Sequence, residues 1–245
     1  MNQDNKLIRS LLQNVKAGSN ASFEQLYHIY SGRIFTLCFR LLGNANLAEE
    51  LTKDIFITAW QQISTIRNDV PFASWIIGVS VYKSLDKLRN SEKYFNFEDE
   101  EKKKIDKKNY VLSDLENGLL TLPIKQRIVF VLNVLEKYSE EEICDLLLLN
   151  KEEIKNLLSE AQIKMNAFQN LIQKSDSVNS QFETFSTINI NKDIWKNIYS
   201  EINNVHLKNN DNELNNDSSF KDYNGIKNKL GKKEKKFGLF NWMKK

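Results

Sequence analysis

Two stretches of this chain, residues 22–90 and 114–168, carry apolar side chains at helical spacing, and a charged segment without such a stripe separates them. Each stripe must bury itself against helices of its own block, so the pattern confines the chain to two small helical units. Eight Gly and two Pro among 245 residues are too few for a turn-rich sandwich or barrel. The predicted fold class is all-α: two small helical domains on a flexible linker, followed by a largely disordered C-terminal tail.

In the first block Leu7, Leu11, Leu12 and Val15 recur at helical spacing, and Gly18 ends that helix. Ser22 reads as the N-cap of Phe23–Tyr30, and Arg33–Leu42 continues to the stop signal Gly43-Asn44. Asn46 reads as the cap of a helix over Leu47–Ile63, with Leu51, Ile55, Phe56, Ala59 and Trp60 on one face. Pro71 opens a further helix through Trp75, Ile76, Val79 and Leu85 to Leu88. Residues 1–90 thus predict one helical bundle, and 91–112, rich in Glu, Asp and Lys, a solvated linker.

In the second block Asp114 caps a short helix that ends near Thr121-Leu122-Pro123, and Pro123 suits the first turn of Ile124–Leu135. Ser139 with Glu142, and Asn150 with Glu153, are capping boxes for Glu140–Leu147 and Lys151–Phe168. Two capped helices across so short a turn match a helix-turn-helix, which assigns residues 113–170 to a second domain. Residues 171–245 form an extension in which Ile190, Ile194, Trp195, Ile198 and Ile202 stripe one short helix. That stripe cannot stay bare; its own lobes, a partner or a larger assembly must cover it. Lys208–Lys236 has the composition of a disordered segment. Lys232–Lys245 interleaves lysines with Phe237, Phe240 and Trp242, which suits weak contact with an anionic membrane, a nonspecific nucleic-acid arm or an inert basic end.

The formal charge of +3 is too slight to identify a nucleic-acid binder by itself. Cys38 and Cys144 both sit in apolar helical patterns and read as small core residues in a reducing compartment. No secretory leader is visible, and the longest apolar runs, such as Trp75–Val81, fall short of a membrane span, so a soluble cytoplasmic protein is expected. There is no phosphate-cradling Gly loop, metal-ligand cluster or nucleophile–base pair, and His28 and His206 stand apart from any ligand-spaced partner. The chain reads as a binding protein, not an enzyme, with no catalytic residue, cofactor or metal.

The stretch Phe23-Glu24-Gln25-Leu26-Tyr27, then Ala48–Trp60, Phe72-Ala73-Ser74-Trp75 and Leu85-Asp86-Lys87-Leu88-Arg89, resembles region 2 of extracytoplasmic-function sigma factors. Leu119–Pro123, Arg127-Ile128-Val129-Phe130 and Tyr138–Ile143 resemble their region 4. The likeness spans roughly residues 20–168 and rests on the order and spacing of these motifs. It implies core RNA polymerase and promoter DNA as partners, and an anti-sigma factor as a further candidate. It implies that region 2 grips polymerase and melts the −10 element, with Glu50, Lys53 and Asp54 on the polymerase-facing helix. Trp75, Tyr82, Lys83, Asp86, Lys87 and Arg89 then fall on the promoter-facing helix, and Lys151, Lys155 and Asn156 on the helix that reads the −35 element.

The departures from the family pattern have physical weight. Lys53 stands where the family usually has Gln, Gly78 replaces an arginine, and Val81-Tyr82 replaces Arg-Asn. The recognition helix lacks all three usual arginines, one of them reversed in sign by Glu160. Residues 151–165 carry three lysines against three glutamates, so the helix has no net attraction for phosphate. One acidic side chain can still read a cytosine amino group, which leaves −35 readout weakened or altered. In region 2, Lys83, Lys87 and Arg89 remain, with Trp75 and Tyr82 as stacking surfaces for a melted strand; the alternative is that Trp75 packs in the core and the lysines form a solvated face. Two functions follow: a sigma factor with altered −35 reading, or a sigma-like interaction protein that binds polymerase or a partner without standard promoter recognition.

Overall fold

A computed structural model describes residues 2–66, 71–90, 112–175, 188 and 193–211 of the chain. The described residues are helical, without a strand. Four helices build the first lobe: α1 (Asn2–Lys16), α2 (Asn20–Leu42), α3 (Ala45–Gln62, with one tighter turn Ile63–Thr65) and α4 (Phe72–Asn90). The second lobe holds α5 (Asp114–Leu119), α6 (Ile124–Phe130), α7 (Glu140–Leu147) and α8 (Lys151–Ser175). The extension contributes α9 (Asp193–Asp211). Most of the expected linker, the expected basic end and the expected disordered segment beyond Asp211 lie outside the described residues; Lys208–Asp211, expected in that segment, instead forms the last turn of α9. No helix among the described residues is long and apolar enough to cross a membrane.

The stripes predicted from spacing form the core. Phe23, Leu26, Ile34, Phe35, Ile55, Phe56 and Ile76 are fully buried where α2, α3 and α4 meet. Burying each such side chain stabilises the lobe by about 1.5–3 kcal/mol. Cys38 lies inside this core, 3.7 Å from the Ser84 hydroxyl, and burial pushes its thiol up to about 12. Cys144 is half-buried on α7.

Helix boundaries differ from the sequence reading in instructive ways. The expected segments Phe23–Tyr30 and Arg33–Leu42 are one continuous helix, capped by Ser19 and not by Ser22. Ser19 Oγ accepts the Ser22 N–H at 3.2 Å, so Ser22 occupies the third helical position. Likewise Asn44, and not Asn46, caps α3, its Oδ1 accepting the Leu47 N–H at 3.0 Å. Asp114 is the first residue of α5 after the cap position at Ser113. The two capping boxes form as read: Ser139 with Glu142, and Asn150 with Glu153, exchange reciprocal bonds. The turn between α7 and α8 starts at Leu148, exposed and held at φ +58°, a left-handed position that usually falls to Gly or Asn. After α6 the helix widens over Val131–Leu135, where the Glu136 N–H reaches back to the Val131 carbonyl at 2.9 Å.

The lobes pack against each other through charged groups, which the sequence reading did not anticipate. Arg40 of α2 and Glu116 of α5 are only 5% and 1% exposed, and Arg40 Nε and Nη2 donate to Glu116 Oε1 at 2.8 and 2.6 Å. Ser113 Oγ donates to the other carboxylate oxygen, Oε2. Arg127 of α6, also buried, lies over the C-terminal end of α2. Its Nη2 donates to the Leu42 carbonyl at 3.4 Å, and the close approach needs Gly43: a Cβ there would sit 2.8 Å from Nη2. The cation thus meets the negative end of the α2 dipole.

Breaking a buried pair leaves an uncompensated charge, at a cost of about 3–5 kcal/mol if the packing stays closed. Arg40→Met is expected either to lower the melting temperature by several degrees or to part the lobes so that Glu116 can hydrate. Thermal denaturation with small-angle scattering distinguishes the two. An unchanged melting temperature with an unchanged radius of gyration would count against the pair as the inter-lobe fastener.

Candidate polymerase- and nucleic-acid-binding surfaces

Antiparallel packing of α3 on α4 brings together side chains that the sequence assigns to two different partners. Glu50 Oε1 meets Lys87 Nζ at 3.0 Å, and one turn further along α3 Asp54 Oδ2 meets Lys83 Nζ at 2.6 Å. These four residues, with Leu51, Asp86 and Asn90, line one shallow cleft. The expected polymerase-binding acids and DNA-binding lysines therefore face each other. Both carboxylates and Lys87 are exposed, so each pair is worth about 0.2–1 kcal/mol. Pairs this weak separate readily.

The remaining first-lobe positions divide. Asp86 accepts a bond from Asn90 Nδ2 at 3.0 Å. Tyr82 is half-buried, and burial, then the Asp86 carboxylate, raises its phenol above the ordinary value. Trp75 is half-buried and stacks on Phe72 with ring centroids 6.0 Å apart, and Phe72 in turn packs edge-on against Tyr30. It is both core wall and partly open platform. Arg89 reaches across the lobes, and its Nη2 donates to the Leu146 carbonyl near the C-terminal end of α7. Lys53 turns away from the α3–α4 cleft, its Nζ bonding Glu201 Oε1 of α9 at 2.6 Å.

In the second lobe Ile154, Ala161 and Met165 fasten α8 to its neighbours, and Lys155 and Asn156 stand exposed on its outer side. Lys151 Nζ sits 2.5 Å from Glu141 and 3.6 Å from Glu140 on α7, and this contact holds the Glu141 carboxyl below its ordinary range. Glu160, the reversed charge of the recognition helix, accepts a bond from Gln126 Nε2 of α6 at 2.5 Å. Lys164 Nζ donates to Gln126 Oε1 at 3.0 Å, so Gln126 is gripped from both ends. Glu160 thus fastens α8 to α6. Sequence reasoning saw its sign but not its partner, because nothing in the spacing announces Gln126.

A model of sigma-70 region 2 matches residues 26–94, and one of sigma-70 region 4 matches residues 112–165. The chain belongs to the extracytoplasmic-function branch of the sigma-70 family. It is similar to the ECF RNA polymerase sigma factor SigW of Bacillus subtilis, 24% identical over 159 residues that cover 58% of this chain and 85% of the relative. It is also similar to RNA polymerase sigma factor SigV of the same organism, 25% identical across 52% of this chain and 78% of the relative. A solved structure of CnrH in complex with the cytosolic domain of CnrY overlaps 67% of this chain and 98% of that one, at a TM-score of 0.43 and 17% identity. The matched regions place α2–α4 in sigma region 2 and α5–α8 in sigma region 4, so this sigma factor acts in transcription initiation. Helix α9 lies beyond both regions.

Since Glu50 and Asp54 pair with Lys87 and Lys83, Glu50→Gln with Asp54→Asn is expected to tighten binding of a single-stranded oligonucleotide. The gain should be roughly two- to thirtyfold at low salt, the equivalent of two surface ion pairs that no longer have to be broken. Titration by fluorescence anisotropy checks this, and an unchanged affinity would show that Lys83 and Lys87 do not touch the strand.

Proposed function

We propose that this sigma factor binds core RNA polymerase through the α3 face carrying Glu50, Lys53 and Asp54, and that α4 captures the opened strand at the −10 element. The observation that carries the reading is the pairing of Lys83 and Lys87 with exposed carboxylates only, so that a basic row beside the half-open Trp75 and Tyr82 rings is available at little cost. Cations with aromatic platforms suit a flexible single strand, whose bases stack while its phosphates replace the carboxylates.

For the second lobe the reading is weak −35 contact. Lys151 is engaged by Glu140 and Glu141, and Glu160 by Gln126, which leaves Lys155 and Asn156 as the side chains on α8 best placed to meet a groove. One lysine and one amide supply a base contact or two, without the arginine pairs that dominate guanine reading. Promoter choice then rests mainly on the first lobe. The second lobe adds avidity by tethered attachment upstream. Arg89 takes part only after the lobes separate, since its guanidinium is otherwise bonded to Leu146.

The test is transcription by core polymerase with the purified full chain. Promoter-specific transcripts are expected, with a footprint strong at the −10 element and faint at −35. Lys83→Gln with Lys87→Gln should lower open-complex formation roughly tenfold or more while core affinity stays within about twofold, since the lost contacts are to phosphate. Core binding without any footprint would instead make the chain a sigma-like competitor or adaptor. A full-strength −35 footprint would overturn the weak reading of α8.

A further inference from the structure

The amphipathic stripe of α9 has found its cover, and the cover is the first lobe. Ile194, Ile198 and Ile202 are 6%, 0% and 1% exposed. The Trp195 ring lies tilted over Tyr27 at a centroid distance of 5.0 Å and beside Phe23 and His28 at 6.3 Å. Polar contacts frame this apolar seat. The Ile188 N–H donates to Thr36 Oγ1 of α2 at 2.8 Å, Asn20 Nδ2 donates to Asn203 Oδ1 at 3.3 Å, and Lys53 Nζ bonds Glu201 at 2.6 Å.

We infer that the α2–α3 seat of α9 overlaps the polymerase-binding face, so that the tail of this chain and polymerase compete for one surface. The inference rests on the assignment of Lys53 and its helix to polymerase binding made above. Lys53 is the residue that joins the two: it projects from the same helix as Glu50 and Asp54, yet its ammonium is held by Glu201 of the tail. Polymerase cannot reach Lys53 past an α9 that stays in place.

Several features suit this contact to release. Its ion pair is half-exposed, and its apolar grip comes from one face of a single helix. Among the described residues no donor meets the buried Asn20 Oδ1, a penalty borne only while it stays covered. Because α9 belongs to the same chain, its local concentration near the seat is high, and even a modest contact stays closed until a partner displaces it. Once vacated, the seat exposes the edges of Phe23 and Tyr27, an apolar patch that the incoming polymerase must cover. The apparent affinity for polymerase is then the intrinsic one reduced by the fraction of molecules whose seat is empty.

Two measurements on the full chain test this. Ile198→Asp places a carboxylate at a fully buried position of α9 and should raise affinity for core polymerase by at least about tenfold. Trp195→Ala should raise it less, in the same direction, and serves if the first variant misfolds. In the unsubstituted chain, amide hydrogen exchange over residues 193–202 should be slow in the free protein and fast in the polymerase complex. A complex in which α9 keeps its protection, or variants that bind no more tightly, would overturn the competition while leaving polymerase binding intact. Failure of both chain and variants to bind polymerase would overturn the functional assignment, and the competition with it.

Discussion

The buried contact between Arg40 and Glu116 sets the form of this molecule. A carboxylate 1% exposed and a guanidinium 5% exposed are tolerable only against each other, so lobe apposition and charge burial are a single event. Arg127 extends the same logic by closing the C-terminal end of α2, where unsatisfied carbonyls would otherwise meet the second lobe. Apolar side chains of both lobes also join in one core, but once exposed the charged pair hydrates, which lowers the cost of parting the lobes. The apposition is therefore compatible with lobes that can separate.

The distribution of ion pairs points the same way. Lys83 and Lys87 are neutralised at the surface, where water screens the pair and separation is inexpensive. Arg89 is bonded to a carbonyl of the other lobe, and Lys53 to the tail. Four cations that the family resemblance assigns to partners are all occupied within the chain, each by a contact that a partner can replace. In this form these four side chains are satisfied within the chain.

Helices and their order were legible in the sequence wherever a signal is local. The Ser139–Glu142 and Asn150–Glu153 boxes form as read because a cap requires only residues three apart. The N-caps of α2 and α3 were misplaced by two or three residues where two capping residue types compete, Ser19 with Ser22 and Asn44 with Asn46. What the sequence could not announce is pairing across elements. The partners of Arg40, Gln126 and Lys53 lie 76, 34 and 148 residues away, and no periodicity links them. One such pairing was within reach: two acids a turn apart on α3 and two lysines a turn apart on α4 are the signature of antiparallel neighbours in register.

Glu160 shows how a sequence departure can mislead. Read as one substitution in a DNA-reading helix, it is a charge reversal that weakens phosphate binding. In the structure its carboxylate is directed at Gln126, and Lys164, four residues on, grips the same amide from the other side. The glutamate thus helps fix the angle at which α8 leaves the second lobe, and that angle determines which residues a groove could meet. Of the three positions where α8 lacks the usual arginines, the one at Glu160 is spent on position, with Lys155 and Asn156 left at the outer surface of the helix. An account of this protein that counted charges along α8 would miss the distinction, because the same carboxylate that repels phosphate also holds in place the helix presenting those two side chains.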